Sequence, residues 1–372
     1  MKLLFDTHLD LAWNALSWGR DVTRSLDEIN ARERGMTDHD ARGRATTSLP
    51  QMRRGGVAVC LATVVARVKP DARPAEGHSR ASLDYDRPAM AYAAGQGQLA
   101  YYRLLDEQGE VKILRRGADL RAHWQQWTAA SADGEAGEPL GALPVGIILA
   151  MEGADPIVSP GQAESWFADG MRSVSLAHYG PSRYAMGTGQ PGSLTPEGVG
   201  LLAEFERLGM ILDVTHLSEP GFSQALDAFG GPVMASHNNC RALVPGDRQF
   251  ADDQIRRLID RDAVIGVALD AWMLYPGWKM GETSRQVVGL DALAGHVDHV
   301  CQIAGDCRHV GIGSDLDGGF GTEQAPRDLD SIADLQKLAG ILSARGYADE
   351  DVDAIFHGNW LRFFDRHLPQ PK

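Results

Sequence analysis

Short apolar runs rich in Val, Ile and Leu recur along the chain, and between them the apolar positions switch to a helical spacing. Eight such runs occupy residues 3–6, 57–65, 145–152, 173–178, 211–216, 233–237, 264–270 and 309–315. Helix-period stretches lie between most of them, at 89–106, 162–169, 196–208, 219–229, 252–259 and 290–303, and a further pair at 330–344 and 349–365 closes the chain. Strand and helix in alternation signal a parallel sheet with covered faces. Eight such units in 372 residues predict an α/β fold of the (β/α)8 TIM-barrel type. A doubly wound sheet would carry a glycine-rich phosphate loop after an early strand, and none is present. The chain reads as one domain over 1–372, with insertions at about 11–55, 67–86 and 131–143 that exceed plain βα connections. Long loops at that end of a barrel build or cover its active site.

The polar residues that end the runs carry the chemistry. They are His8 with Asp10, Glu152, His178, His216, His237 and Asp315, on strands 1, 3, 4, 5, 6 and 8 of the pattern. A lone histidine at a strand end is more often a satisfied core residue than a ligand. A whole set, gathered by the fold at one mouth of the barrel, asks for a common cause. In His8-Leu9-Asp10 the outer two residues share one face of an extended chain, so both reach the same ion. Glu152 has two oxygens and can bridge two metals, while His216 and His237 complete the ligand set of the second metal. Asp315 ends the eighth run and is the best-placed acid/base, able to take a proton from the attacking water and pass it to a leaving amine. Asp317, two residues on, shares that face but enters a glycine turn.

These residues sit in motifs that resemble the membrane (renal) dipeptidase family of the amidohydrolase superfamily. The motifs are DTHLDLAW, MEGADPI, SVSLAHYG, DVTHLSEPGF, PVMASHNN and HVDHVCQIAGDCRHVGIGSDLDGG, and the match runs on to HGNWLRFFD. The resemblance implies a metal-dependent dipeptidase with two Zn2+ per chain. His8, Asp10 and bridging Glu152 would hold one ion, and Glu152, His216 and His237 the other. It implies Asp315 as catalytic acid/base, His178 as the group that polarises the scissile carbonyl, and Arg248 as the clamp on the substrate's terminal carboxylate. Arg241 is the fallback clamp. It also implies tolerance of a D-residue at the C-terminal position, hence L-Xaa-D-Xaa substrates. Gln249 stands where the family usually has Asn, and the loop YGPSRYAMGTG departs from the usual asparagine-containing stretch, which bears on substrate preference. Two other readings compete. One is an amidohydrolase acting on an N-acyl amino acid or cyclic amide, but such enzymes typically open with HxH and often bridge through a lysine on strand 4. The other is an inactive barrel used as a binding module, which would show a missing ligand first.

A net charge of −14 argues against nucleic acid or an anionic membrane as partner. The partner expected is a small dipeptide, and a homodimer is compatible with the reading. Cys60, Cys240, Cys301 and Cys307 form no CxxC and read as free thiols of a reducing compartment. His296 and His299, with Cys301, Cys307 and His309, could be read as a separate metal cluster; a solvated helix face is the expectation. The apolar stretch before Asp6 is too short for a leader, and no apolar run is long enough to span a bilayer, so a cytoplasmic enzyme is expected.

Overall fold

The computed structural model describes residues 1–75, 77–133, 140 and 143–370, so the insertion expected at 131–143 lies largely outside the described residues. The chain folds as a TIM barrel. Its strands are β1 (Leu4–Leu9), β2 (Val57–Val65), β3 (Val145–Glu152), β4 (Met171–Ser175), β5 (Ile211–Asp213), β6 (Val233–Met234), β7 (Ile265–Val267) and β8 (Val310–Ile312). They pair in parallel in the order β7-β8-β1-β2-β3-β4-β5-β6. A parallel bridge between Ala235 and Ile265 closes the ring, with Gly266 N donating to Ala235 O at 2.8 Å. β2 and β3 are buried end to end, as strands covered on both faces must be.

The barrel is narrow inside. The Thr7 hydroxyl donates to Ser236 O (2.8 Å) and Ile312 O (3.0 Å) across the interior. A Cβ on Gly266 or Gly313 would come within 2.0 and 1.8 Å of that same Ser236 carbonyl, so only glycine fits there.

The helices form the outer layer: α1 (Pro88–Glu107), α2 (Gly117–Asp133), α3 (Ala163–Ala168), α4 (Pro196–Leu208), α5 (Glu219–Ala228), α6 (Asp252–Asp260), α7 (Leu290–Ala304), α8 (Lys337–Ala344) and α9 (Asn359–His367). Their ends follow local rules. Thr195 caps α4 by accepting from Gly198 N, Pro196 takes the first helical position, and Gly209 ends the helix at φ 71°. α4 buries Leu201, Leu202 and Phe205 on one face, against a core continuous with the sheet. No helix among the described residues is long and apolar enough to cross a membrane.

Several elements went unread in the sequence, among them the helices Leu26–Arg32 and Leu49–Arg54 inside the first insertion. α2 buries Leu120, His123 and Trp127 with Trp124 packed beside them, a stripe of two turns followed only by small and polar residues. An extra strand, Val111–Ile113, pairs with the start of β3. The insertion after β1 is fastened by a buried Arg20–Glu33 pair (2.9 Å), which Arg42 joins at 2.7 Å.

Candidate metal centre

Two buried carboxylates aim the strand ends. Asp6 Oδ1 accepts from the backbone of His8 (3.2 Å) and of Ser314 (2.9 Å), tying β1 to the end of β8. Asp213 Oδ1 does the same for Thr215 and Ser236, both at 3.0 Å, tying β5 to β6. Four expected site residues therefore leave from braced backbone: His8, Asp315, His216 and His237. Most strands are shorter than their apolar runs, so His178, His216, His237 and Asp315 lie in the turns beyond. His216 (φ 68°) and Asp315 (φ 59°) adopt left-handed backbone, a sparsely populated state outside glycine that clusters at functional sites.

These turns converge. Asp10, Glu152, His178, His216 and Asp315 line one cavity of about 250 Å3, with His8 and His237 buried against them. Glu152 Oε1 is the hub, 3.2 Å from His216 Nε2, 3.3 Å from His237 Nε2, 3.5 Å from His8 Nε2 and 3.7 Å from His178 Nε2. His8 Nε2 also lies 3.9 Å from Asp10 Oδ1 and 3.7 Å from Asp315 Oδ1, and the Nε2 atoms of His216 and His237 are 3.2 Å apart. Burial drives the charge states. It pushes His8 down to about 3 and holds His178, His216 and His237 well below the usual imidazole range, with Arg248 adding to each. It lifts Asp10 to about 6, against the Thr63 hydroxyl that donates to Asp10 Oδ1. Glu152 and Asp315 stand well above the carboxylate range through burial and the nearby Asp10.

Neutral imidazoles beside carboxylates are acceptors facing acceptors, and His8 Nε2 is buried with no hydrogen-bond partner. Such a cluster fits a cation, and a mixed set of imidazole nitrogen and carboxylate oxygen suits zinc, with manganese and cobalt near in preference. His8 with Asp10 and Glu152 forms one compact ligand group, and His216 with His237 and Glu152 another.

The partners of the other ring nitrogen distinguish His178 from these. His216 Nδ1 faces the Thr188 hydroxyl at 3.1 Å and His237 Nδ1 the Ser236 hydroxyl at 2.9 Å. Both hydroxyls have an acceptor elsewhere for their own proton, so each takes the Nδ1 proton and leaves an Nε2 lone pair free for a metal. His178 Nδ1 instead faces Arg67 Nη1 at 3.2 Å. A guanidinium only donates, so the His178 proton sits on Nε2 and points into the cavity as a donor. Although His178 lies close enough to group with Glu152 and His216, its tautomer argues against ligation.

Arg248 lines the same cavity at 3% exposure. Its Nη1 donates to Asn238 Oδ1 (2.7 Å) and its Nη2 to His237 O (2.8 Å), while Nε has no partner. No carboxylate among the described residues pairs with it. Arg241 is occupied elsewhere, with Glu219 at 3.0 Å. Asp317 is buried and spent: Thr46 N and Oγ1 donate to one oxygen (2.8 and 2.7 Å) and Thr47 N to the other (3.0 Å), locking the β1 insertion to the β8 turn. The alternative cluster dissolves. Cys240 N donates to His296 Nδ1, His299 meets Asp252 and His309 meets Ala263 O, each facing a different partner. All four cysteines are free.

Sequence reasoning missed Arg67, Tyr179 and Asp270. Asp270 follows β7 on the cavity wall, where burial lifts it to about 7. The available signal was its place at the end of the seventh apolar run, where the other runs place their ligands.

Solved structures share this fold. A structure of a metallopeptidase, dipeptidase AC, superposes with a TM-score of 0.76 at 24% identity, covering 99% of each chain. A metallo peptidase from Rhodobacter sphaeroides, crystallised with a phosphinate mimic of L-Ala-D-Ala, gives 0.75 at 24% identity, over 99% of this chain and 100% of that one. In sequence, the chain is 30% identical over 226 residues to a Klebsiella pneumoniae protein of the pqqA 5′ region, covering 58% of this chain and 80% of that protein. It is 30% identical over 197 residues to the dipeptidase aclJ of Aspergillus oryzae, covering 52% of this chain and 44% of the relative. The match to rat dipeptidase 3 is 26% over 171 residues, 46% of this chain and 33% of the relative, so the segments matched in these two dipeptidases span less than half their length. The model of the membrane dipeptidase family (peptidase family M19) matches residues 2–367; the chain belongs to that family and is a metallo-dipeptidase.

Proposed function

We propose that the chain holds two divalent ions, zinc by preference, and hydrolyses the peptide bond of dipeptides, L-Xaa-D-Xaa among them. His8, Asp10 and Glu152 hold one ion and Glu152, His216 and His237 the other. Bound there, the ions supply Lewis-acid activation of water and of the scissile carbonyl. Asp315, on the cavity wall beside both ligand groups, takes the proton of the attacking water and returns it to the leaving amine. His178 donates its Nε2 proton to the carbonyl oxygen, in the tautomer that Arg67 enforces. The observation that carries the dipeptide reading is Arg248. A buried guanidinium without a counter-charge, in a small cavity beside the acceptor cluster, calls for a free carboxylate one residue from the bond that breaks.

The R. sphaeroides neighbour's ligand makes the L,D series worth including. The test is a kinetic screen of zinc-loaded enzyme against L,L and L,D dipeptides, with C-terminal amides and N-acyl amino acids as controls. Turnover confined to free dipeptides supports the reading. Cleavage of amides or N-acyl amino acids at comparable rates would replace it with a broader amidohydrolase. Elemental analysis of the gently purified protein gives the ion count, and one ion or none, unchanged by zinc reconstitution, would end the binuclear assignment.

A further inference from the structure

The wall between Arg248 and Asp315 carries a carboxylate that the reaction does not use. Leu269 N donates to Ser314 O at 3.0 Å, which sets Asp270 beside Asp315 on neighbouring strand ends. Gln249 Nε2 donates to Met273 O at 2.9 Å, which lays the segment after Asp270 against the loop that bears Arg248. Asp270 is only 7% exposed and lines the same cavity as both. Its Oδ1 accepts from Gln324 Nε2 (2.8 Å) and from Trp272 N (3.4 Å). Burial lifts this carboxyl to about 7, against these hydrogen bonds and one from the Trp272 side chain.

The argument rests on the dipeptidase reading above. There the C-terminal residue is fixed at two points: its carboxylate on Arg248, and its nitrogen, the leaving amine, at Asp315. Held between those two points, that residue lies along the cavity wall to which Asp270 belongs. We propose that Asp270 determines specificity for the C-terminal residue, favouring a cationic side chain and rejecting an acidic one. A second carboxylate on that residue would meet Asp270 in a dry wall, where like charges repel strongly. An ammonium or guanidinium would find a desolvated carboxylate and hold it ionised. The surroundings favour the same sign. Gln324, Met280 and Gly319 are shared with an outer cavity of about 750 Å3, whose wall contains Glu323 with a buried, unpartnered Oε2. Arg44 and Arg285 also reach that wall, but Arg285 is already bound to Asp330 at 2.9 Å.

The experiment compares kcat/KM of the zinc-loaded enzyme on Ala-Xaa dipeptides with Xaa lysine, norleucine or glutamate, in both the L and D series. Lysine should exceed its neutral isostere by about tenfold or more, as one charge-assisted contact provides, and glutamate should rank last. In Asp270→Asn the lysine-to-norleucine ratio should collapse toward unity and glutamate should rise relative to both. The ratio is taken within one preparation, so a partly folded variant still reports it. Norleucine equal to or better than lysine in the parent enzyme, or a ratio that survives Asp270→Asn, would overturn the assignment while leaving the dipeptidase reading standing. Absence of turnover on all these dipeptides would strike the dipeptidase reading instead.

Discussion

Replacing Arg248 by Met removes a guanidinium while keeping most of the aliphatic stem. Two of its five N–H donors serve His237 O and Asn238 Oδ1, so three remain for a substrate carboxylate, the Nε donor among them. A desolvated charge pair of this kind is worth about 2–5 kcal/mol. At about 1.4 kcal/mol per tenfold, kcat/KM on a free dipeptide should fall about 30- to 4,000-fold. The same dipeptide capped as a C-terminal amide, a poor substrate to begin with, should lose little more. Stability should move differently. The variant strands two buried acceptors, each costing about 1–3 kcal/mol. It also removes an uncompensated buried cation, a burden of several kcal/mol that offsets the loss. Urea unfolding of the metal-loaded protein should therefore shift by about 2 kcal/mol or less in either direction. Equal damage on acid and amide would refute the clamp. Destabilisation well beyond that range would show that the guanidinium serves the fold.

Asp315→Asn should retain its metals by elemental analysis and lose about 10²–10⁴-fold in turnover; near-normal turnover would remove Asp315 from the chemistry. Gly318→Ala places a Cβ 2.0 Å from Asp315 Oδ1 and should displace that carboxylate, reducing kcat to a similar degree while circular dichroism stays native. Unchanged kcat would show that the carboxylate is not needed where it stands. Arg67→Met frees the His178 tautomer and should lower kcat more than it raises KM, and a loss confined to KM would contradict the donor role. Metal affinity should fall with acidity. Burial lifts Asp10 to about 6 in the metal-free protein, so an ion binding below that pH must displace its proton. Between pH 7 and 5 the ionised fraction of such a group drops about tenfold, and chelator competition should show at least that loss; a flat profile would contradict it. His8, already pushed down to about 3, adds nothing in this window.

The barrel and the buried His and carboxylate cluster at its mouth were legible because both arise from local pattern. An apolar run ended by a polar residue marks a strand and its catalytic end at once, and His8, Glu152, His216, His237 and Asp315 each announce themselves this way. What the pattern hides depends on contacts through space. Thr188, Ser236 and Thr63 look like ordinary hydroxyls, yet they orient His216, His237 and Asp10. Arg67 lies in an insertion far from His178 in sequence, and only the fold brings its donor to Nδ1. Asp6 and Asp213 read as strand residues, although their carboxylates brace neighbouring strand ends. The left-handed backbone at His216 and Asp315 is equally silent, since nothing in either residue type demands it. α2 escaped for a simpler reason: its stripe of Leu120, His123, Trp124 and Trp127 spans only two turns and includes a histidine, and small and polar residues follow it.

Charge balance ties the proposed ions to the proposed substrate. Four carboxylates line the cavity, those of Asp10, Glu152, Asp270 and Asp315, against the single guanidinium of Arg248. The imidazoles beside them are neutral, and Arg67, which sits behind His178, is already matched by Asp84 at 2.7 Å. With every carboxylate ionised the wall carries four negative charges and one positive, a net of −3, which an empty buried site avoids by taking up protons. One divalent ion would leave −1, a poor environment for the negative charge that develops on a carbonyl oxygen under attack. Two ions bring the sum to +1, which the terminal carboxylate of a substrate held on Arg248 balances. The count favours two ions over one on electrostatic grounds alone. It also gives Asp270 a purpose: a cationic side chain at the C-terminal position answers the one cavity carboxylate that neither holds an ion nor moves a proton.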